Sequence, residues 1–364
     1  MRGAARLEDY LRAHVAAGDF PGASYLVAGD GGILAEGALG SAVLRPERIA
    51  AATSTLYDLA SLTKPIAGSC LAALLSSEGR LSCDDPLSRH LREWSPPGDA
   101  ARVTLLDLLT HRSGLPAWRP VYIHASGRDE YLEWLKRLPL DRPPGERVVY
   151  SDPGYILLGF ALERAGGAPL HRLFAEKVAR PLALRDLLYR PPRSLRRRIA
   201  ATEAGNRRER VLAGTEGDGY NGWRTGVAWG EVHDLNARAL GGSSAHAGLF
   251  GTARAVFLVA REILGPGTCL LDERQRELMR DNLTAGLGED RSLGFLLASN
   301  PGTPAGSGLS RRSFGHTGFT GTSLWIDPDA RRLYVLLTNR VHPECREIDM
   351  NAIRRGFHEI AAAL

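Results

Sequence analysis

Lysine is rare in this chain of 364 residues. Only Lys64, Lys136 and Lys177 are lysines among the 46 basic residues, and the other 43 are arginine. Arginine keeps its proton in proteins, whereas a buried lysine can lose its proton and act as a base. A lysine retained against this bias is a candidate for chemistry that arginine cannot do, which singles out Lys64.

Cysteine is also rare, and long apolar stretches are missing. The four cysteines lie far apart and include no C-x-x-C pair, which argues against a disulfide scaffold and a zinc ribbon. No apolar run approaches the roughly 18 residues of a membrane-spanning helix. The charged N-terminal segment also lacks the apolar core of a signal peptide. We therefore expect a cytoplasmic protein with reduced thiols and no membrane partner.

The order of predicted strands and helices indicates one α+β domain over residues 1–364. Residues 22–40 have the pattern of two strands around a Gly-Asp-Gly-Gly turn, and Pro328-Asp329 separates two candidate strands near the C-terminus. The middle of the chain is rich in helical patterns. These positions predict an antiparallel sheet built from both chain ends and flanked by helices, with an inserted helical lobe. The expected sheet lobe covers about 1–60 and 240–364, and the expected helical lobe about 80–200.

The first chemical motif is Ser61-Leu62-Thr63-Lys64. Residues three apart on a helix share one face, so the Ser61 hydroxyl and the Lys64 amine can meet. A serine hydroxyl becomes a good nucleophile when a nearby base removes its proton. Burial beside a helix N-terminus can lower the pKa of a lysine enough for that task. The alternative is a capping serine beside a surface lysine.

Two further motifs carry side chains suited to catalysis. Tyr150 and Asp152, in Tyr-Ser-Asp, lie between Pro-Pro-Gly and Pro-Gly, which predicts a loop between helices. A phenol beside an ammonium can ionise and relay protons. His316, Thr317 and Gly318 precede the predicted C-terminal hairpin, where glycine lets a strand approach a ligand closely. The alternatives are a packed tyrosine and a histidine that faces solvent.

Taken in this order and at these separations, the three motifs resemble the serine β-lactamase and penicillin-binding-protein superfamily, in particular its class C-like branch. That branch also includes D-alanyl-D-alanine carboxypeptidases, D-aminopeptidases and esterases. The resemblance extends over roughly residues 7–360 and includes Leu-Thr-His-Arg-Ser-Gly-Leu at 109–115 and Gly-Leu-Phe-Gly-Thr at 248–252. It implies a β-lactamase/transpeptidase-like fold.

The resemblance also implies catalytic roles. Ser61 is expected to be the nucleophile that becomes acylated, Lys64 its general base, and Tyr150 a second proton shuttle. The backbone N–H groups of Ser61 and Phe319 are expected to form the oxyanion hole. Losing one donor of such a hole costs about 100- to 1000-fold in rate, so the backbone geometry matters as much as the side chains.

Substrate-binding residues are implied too, with two departures from the family pattern. Thr317 and Gly318 belong to the strand against which substrate lies. His316 stands where β-lactamases usually have a lysine that pairs with the substrate carboxylate. Asp152 stands where they usually have asparagine; an ionised Asp152 cannot donate a hydrogen bond, but it can pair with Lys64 or His316. Both changes argue against strong β-lactam turnover.

A narrower resemblance concerns Gly-Glu-Val-His-Asp-Leu-Asn-Ala at 230–237. This segment is similar to a subgroup that includes exo-acting N-acetylmuramoyl-L-alanine amidases and low-activity penicillin-binding proteins. The similarity implies that His233 and Asp234 line the pocket and contact a sugar or peptide; the alternative is a hydrogen bond that stabilises a loop. A metal site of His233, Asp234 and His246 is a further alternative, but their spacing matches no zinc signature. We predict no metal and no cofactor.

Two other features have simpler interpretations. His111, in Thr-His-Arg-Ser-Gly-Leu, is a candidate base, but we interpret it as part of a structural turn beneath the site. The arginines between positions 193 and 210 indicate a solvated surface rather than a nucleic-acid site, because few aromatic residues are interleaved with them.

The predicted function is hydrolysis of a small ester or amide, such as a peptidoglycan-derived peptide, through an acyl-enzyme on Ser61. The alternative is a penicillin-binding or sensing module, or a non-catalytic binding module, with the same fold, and a weak β-lactamase is less favoured. An α/β-hydrolase is excluded because no G-x-S-x-G occurs. The choice between ester and amide, and the oligomeric state, stay open.

Overall fold

The computed structural model describes residues 2–94, 96, 98–265 and 270–364. The strands are β1 Gly22–Gly29, β2 Gly32–Val43, β3 Ile49–Ala50, β4 Tyr57–Asp58, β5 Leu187–Tyr189, β6 Leu249–Gly251, β7 Leu296–Leu297, β8 Phe314–Thr317, β9 Ser323–Asp327 and β10 Arg332–Thr338. The α-helices are α1 Arg2–Ala17, α2 Cys70–Ser77, α3 Leu87–His90, α4 Leu105–Leu109, α5 Val121–His124, α6 Gly127–Leu135, α7 Asp152–Gly166, α8 Leu170–Phe174, α9 Arg207–Ala213, α10 Leu235–Ala239, α11 Ala253–Leu264, α12 Glu273–Arg280 and α13 Met350–Ala362.

The main sheet joins the two ends of the chain. Its seven strands lie in the order β3-β2-β1-β10-β9-β8-β7, and every neighbouring pair is antiparallel. The central pair is β1 with β10, in which Leu26 lies opposite Val335. This confirms the prediction of an antiparallel sheet assembled from both chain ends.

Side chains alternate between the two faces of this sheet, and both faces are buried. Leu26 and Val335 belong to the larger apolar core, whereas their neighbours Val27 and Leu336 belong to a smaller core on the opposite face. Helices α1 and α13 cover the smaller core, and α11 packs on the other face. Each fully buried leucine or phenylalanine contributes about 1.5–3 kcal/mol relative to an exposed one.

A second, three-stranded sheet has the order β4-β6-β5. Tyr57 of β4 pairs with Gly251 of β6, and Leu187 of β5 pairs with the same glycine from the other side. The sequence analysis did not predict this sheet, because two- and three-residue strands carry too little pattern to be recognised. Its importance is positional, since β4 leads directly into the segment that holds Ser61.

Two sequence-based expectations concern the whole chain, namely that no helix spans a membrane and that the cysteines are reduced. Within the described ranges, no helix is both long and apolar enough to cross a membrane. Cys70, Cys83 and Cys345 are free thiols. Cys269 lies outside the described residues, so the expectation of reduced cysteines is not tested at that position.

Candidate active site

Ser61 lies on a tight turn between the small sheet and α2. The turn is a single stretch of 3₁₀ helix, Ala60–Leu62, and Ala60 has a left-handed backbone with φ of +47°. A non-glycine residue pays about 1–2 kcal/mol for that conformation. The buried Asp58 carboxylate holds the turn by accepting a hydrogen bond from the Ala60 N–H at 2.9 Å. It also accepts one from the His233 N–H at 2.7 Å.

Lys64 reaches Ser61 because the chain continues in a wide helical turn, Lys64–Ser69, before α2 begins. The Lys64 ammonium donates to Ser61 Oγ at 3.1 Å and to the His246 carbonyl oxygen at 3.1 Å. Its Nζ lies 2.7 Å from Asp152 Oδ1, and the lysine side chain is fully buried. The first and second sequence motifs therefore meet at one amine.

The charge state of Lys64 differs from the sequence-based expectation. Burial alone lowers the pKa of this amine, but the Asp152 carboxylate and the Tyr150 phenol more than offset it and raise the pKa above the ordinary 10.5. The expectation of a lowered pKa is therefore wrong. The lysine pKa is raised because Asp152, a residue of the second motif, forms an ion pair with Lys64. This ion pair keeps the amine protonated at rest.

The Tyr150 side chain lies beside the Lys64 amine and the Ser61 hydroxyl. Its phenol faces both Lys64 and Ser61; burial raises its pKa, the Lys64 ammonium partly opposes this, and the net pKa stays above 10. Two cations also contact the ring: Lys64 Nζ lies 4.8 Å from its centroid and the Arg291 guanidinium carbon 5.3 Å from it. The phenol is thus protonated at rest but surrounded by positive charge that favours its ionised form.

The end of β8 packs against the turn that carries Ser61. A Cβ added to Gly318 would lie 2.6 Å from the Leu59 carbonyl oxygen, so only glycine permits this approach. The Thr322 hydroxyl donates to the same carbonyl oxygen at 3.0 Å. These contacts bring the backbone of Phe319 and that of Ser61 to one cavity, which both residues line.

His316 is a neutral residue at the floor of the cavity. Burial, followed by the nearby charges of Arg291 and Lys64, lowers its pKa well below 6.5. A neutral imidazole donates from one nitrogen and accepts at the other, so Nδ1 donates to the Thr317 carbonyl oxygen at 2.8 Å and Nε2 keeps its lone pair. The positive charge at this edge therefore resides on Arg291 and Lys64, and not on the histidine.

Two imidazoles in the cavity lining are each paired with a carboxylate. His233 Nε2 lies 2.9 Å from Glu203 Oε2, and its ring stacks on that of Phe319 with centroids 5.6 Å apart. His246 Nε2 lies 2.9 Å from Asp234 Oδ1. Among the residues that the structure describes, no group of three or more His, Cys, Asp or Glu side chains could hold a metal ion.

One cavity of about 510 Å³ collects most of the predicted site residues. Its lining includes Ser61, Tyr150, Asp152, His233, Asp234, His246, His316, Thr317, Gly318 and Phe319. Lys64 lies beneath this surface. The lining also contains residues that sequence reasoning missed, namely Asp58, Trp118, Glu209, Arg291, Arg340, Asn351 and Arg354. No signal distinguished these arginines among the 43 in the chain.

The fold and this site define a class of protein. A penicillin-binding-protein homologue from Caulobacter crescentus superposes with a TM-score of 0.76 at 21% sequence identity, covering 100% of this chain and 98% of that one. The similarity shows that the fold is the β-lactamase/transpeptidase-like fold, which confirms the predicted fold class.

Sequence comparison gives the family. Residues 7–356 match the β-lactamase family, and the chain belongs to it as a serine hydrolase. An Escherichia coli O157:H7 protein, provisionally named a D-alanyl-D-alanine carboxypeptidase, is 33% identical over 368 residues, covering 93% of this chain and 82% of its own. The N-acetylmuramyl-L-alanine amidase of Bacillus subtilis strain 168 is 32% identical over 369 residues, covering 93% and 81%.

Proposed function

We propose that this hydrolase cleaves a small amide or ester through an acyl-enzyme on Ser61, and that its substrates are peptidoglycan-derived peptides. The observation that carries the proposal is the chain of contacts from Ser61 Oγ to Lys64 Nζ and on to Asp152 Oδ1, at 3.1 and 2.7 Å, beside an open cavity. A nucleophile, an amine and a carboxylate in series form a path along which the serine proton can leave.

The raised pKa of Lys64 determines how the proton moves. A resting ammonium cannot accept a proton until it gives one away, and Asp152 is the carboxylate in contact with it. As Ser61 Oγ attacks the substrate carbonyl carbon, Lys64 takes the serine proton while passing one of its own to Asp152. The Ser61 and Phe319 backbone N–H groups stabilise the resulting oxyanion.

Collapse of the tetrahedral intermediate breaks the bond to the leaving amine or alcohol. Tyr150 donates its phenolic proton to that leaving atom and is reprotonated from Lys64, which recovers the proton held by Asp152. The net result is that the serine proton ends on the leaving group and Ser61 is esterified. Water then attacks the ester by the same path in reverse, releasing the acid and restoring Ser61.

The substrate class rests on the relatives and on the cavity. The names of the Escherichia coli and Bacillus subtilis relatives refer to bonds within peptidoglycan peptides or between peptide and sugar. The cavity volume of about 510 Å³ lies within the range of about 300–1,000 Å³ that is usual for small-molecule sites. Turnover in the cytoplasm stays a prediction that cell fractionation would test.

The test compares wild type with Ser61→Ala on p-nitrophenyl acetate and on N-acetylmuramoyl-L-alanyl peptides. We expect Ser61→Ala to lose at least about 1000-fold in kcat. We also expect intact-mass spectra to show an acyl adduct in wild type only. The matched control is Ser77→Ala, an exposed serine near the end of α2. Full activity in Ser61→Ala would refute the proposal, and a wild-type adduct that never turns over would favour the sensing module.

A further inference from the structure

Tyr150 is bracketed by a single residue, His111. His111 follows α4 with a left-handed backbone, φ +59°. Its carbonyl oxygen accepts a hydrogen bond from the Val149 N–H at 2.8 Å. Its ring nitrogen Nδ1 accepts one from the Ser151 N–H at 2.9 Å. The amides on both sides of the tyrosine are therefore attached to the same histidine.

The ring of His111 also sets the orientation of the phenol. It lies between two tyrosine rings, with its centroid 4.4 Å from that of Tyr150 and 4.8 Å from that of Tyr155. Interplanar angles of 33° and 32° show that the imidazole packs at a tilt against both phenol rings. The Tyr155 hydroxyl donates to the Leu109 carbonyl oxygen at 2.9 Å, which attaches the three rings to the end of α4.

The protonation state of His111 suits this role. Since Nδ1 accepts a hydrogen bond, the neutral ring carries its proton on Nε2. That nitrogen is buried and has no hydrogen-bond partner among the residues described. Burial, followed by the charges of Arg291 and Lys64, lowers the pKa of His111 well below 6.5, so the acceptor lone pair is retained.

We propose that His111 is a positioning residue for Tyr150, which fixes the backbone through two hydrogen bonds and the phenol plane through its ring. His111 does not belong to the cavity lining described above, so it acts through the tyrosine and not on substrate. The inference rests on the proposed function, because it requires Tyr150 to move a proton during turnover.

Two substitutions separate the acceptor from the ring. In asparagine, Oδ1 is bonded to Cγ as Nδ1 is in histidine, so His111→Asn can still accept from the Ser151 N–H. Asparagine also tolerates a positive φ. His111→Phe keeps an aromatic ring and removes the acceptor. If His111 only fills space, His111→Phe should be more active than His111→Asn. If it holds the Ser151 amide, His111→Asn should be the more active variant.

The experiment measures kcat and KM for p-nitrophenyl acetate with the full chain. Displacing a catalytic group by about 1 Å can cost about 100-fold in rate. We expect His111→Phe to lower kcat by about 10- to 100-fold with KM nearly unchanged, and His111→Asn to recover most of that loss. Tyr10→Phe is the matched control and is expected to stay close to wild type, because the Tyr10 hydroxyl donates to the Ile353 carbonyl oxygen beside the smaller core and lines no part of the cavity.

The deciding measurement repeats His111→Phe in a Tyr150→Phe background. If His111 acts through Tyr150, adding His111→Phe to Tyr150→Phe causes almost no further fall in kcat. The same factor in both backgrounds, or an equal loss in His111→Asn and His111→Phe, would overturn the inference. Thermal unfolding checks each variant. If His111→Phe does not fold, His111→Gln replaces it in the comparison with His111→Asn, because both are amides without a ring and only asparagine has its oxygen at the position of Nδ1. Failure of the proposed function gives a different result, namely full activity in Ser61→Ala or in Tyr150→Phe.

Discussion

The two sides of the cavity use similar residue types in different ways. The proposed catalytic wall, which consists of Ser61, Lys64 and Tyr150, brings the lysine ammonium and the tyrosine hydroxyl to one serine oxygen. On the imidazole wall, which consists of His233 and His246, each ring is paired with its own carboxylate. A histidine and an acid in contact are therefore not enough to indicate catalysis. What distinguishes the catalytic wall is that its contacts lead to an atom able to attack substrate.

The two walls are nevertheless joined at several points, one of which is the Asp58 carboxylate that accepts from both the Ala60 and the His233 N–H groups. The His246 carbonyl oxygen accepts a hydrogen bond from the Lys64 ammonium, while its ring is held by Asp234 and by the Ser244 hydroxyl, 2.7 Å from Nδ1. The imidazole wall thus supports the lysine through the backbone. Substitutions on the catalytic wall should consequently change the rate most, and substitutions on the imidazole wall should change stability more than rate.

The largest effect is expected for Lys64→Arg. Arginine keeps the positive charge beside Asp152 but cannot pass a proton on. We expect kcat for p-nitrophenyl acetate to fall by about 1000-fold. The matched control is Lys136→Arg, whose lysine forms an exposed ion pair with Glu133 and whose replacement is expected to leave the rate unchanged. A Lys64→Arg enzyme with more than about a tenth of wild-type activity would remove lysine from the proton path.

An intermediate effect is expected for Asp152→Asn, which leaves the lysine and removes the carboxylate. Burial then becomes the main influence on the pKa of Lys64, and that pKa falls below 10.5. We expect kcat at pH 7 to fall by about 10- to 100-fold, because the amide cannot take a proton. Activity should then rise with pH more steeply than in wild type, as the neutral amine becomes populated. The check is a kcat/KM profile from pH 6 to 10.

Stability provides the control for Asp152→Asn. Because the pKa of Lys64 is raised on folding, the ion pair stabilises the fold fully below about pH 10.4, which is the usual pKa of an unfolded lysine. This stabilisation is lost as the pH rises through the higher pKa of the folded state. Wild type should therefore unfold at a higher temperature than Asp152→Asn at pH 7, and the gap should narrow at strongly alkaline pH. The ion pair would be contradicted if wild type and Asp152→Asn had parallel kcat/KM profiles and if the difference between their unfolding temperatures did not change with pH.

The smallest effect on rate is expected for Asp234→Asn on the imidazole wall. Burial alone would raise the pKa of Asp234, but the His246 ring more than offsets it and holds that pKa below 3.8. Its stabilisation is therefore present above about pH 4 and is lost as pH falls through the lower folded value. We expect a loss of about 1–3 kcal/mol in the free energy of unfolding at pH 7, with kcat for the ester nearly unchanged.

Thermal unfolding between pH 3 and 7 checks this prediction. The difference in unfolding temperature between wild type and Asp234→Asn should shrink as the solution becomes acidic. A fall of 100-fold or so in kcat with unchanged stability would instead give the imidazole wall a role in turnover and would erase the contrast between the two walls.

The sequence was sufficient for the family, the fold class and the residues that line the cavity from the three motifs, because those motifs are short contiguous patterns. It offered both Lys64 and His316 as partners of Asp152 without choosing between them, and the charge state of Lys64 depends on that choice, because the 2.7 Å contact with Asp152 raises the pKa of the lysine. Nor did it predict Arg291 against the Tyr150 ring. A single arginine in an arginine-rich chain carries no pattern, and only the fold brings it to the site.

The sheet that joins both chain ends has a consequence for how this enzyme comes into being. Ala23 pairs with Thr338, so the central strands cannot meet until the chain has been made as far as residue 338 and has left the ribosome. The Ser61 turn, which depends on Thr322 and Gly318 for its support, stays unfinished until then. Contacts between such distant segments make folding slow. The nascent chain therefore carries Ser61 long before the contacts that support its turn can form, and those contacts wait for residues up to 338.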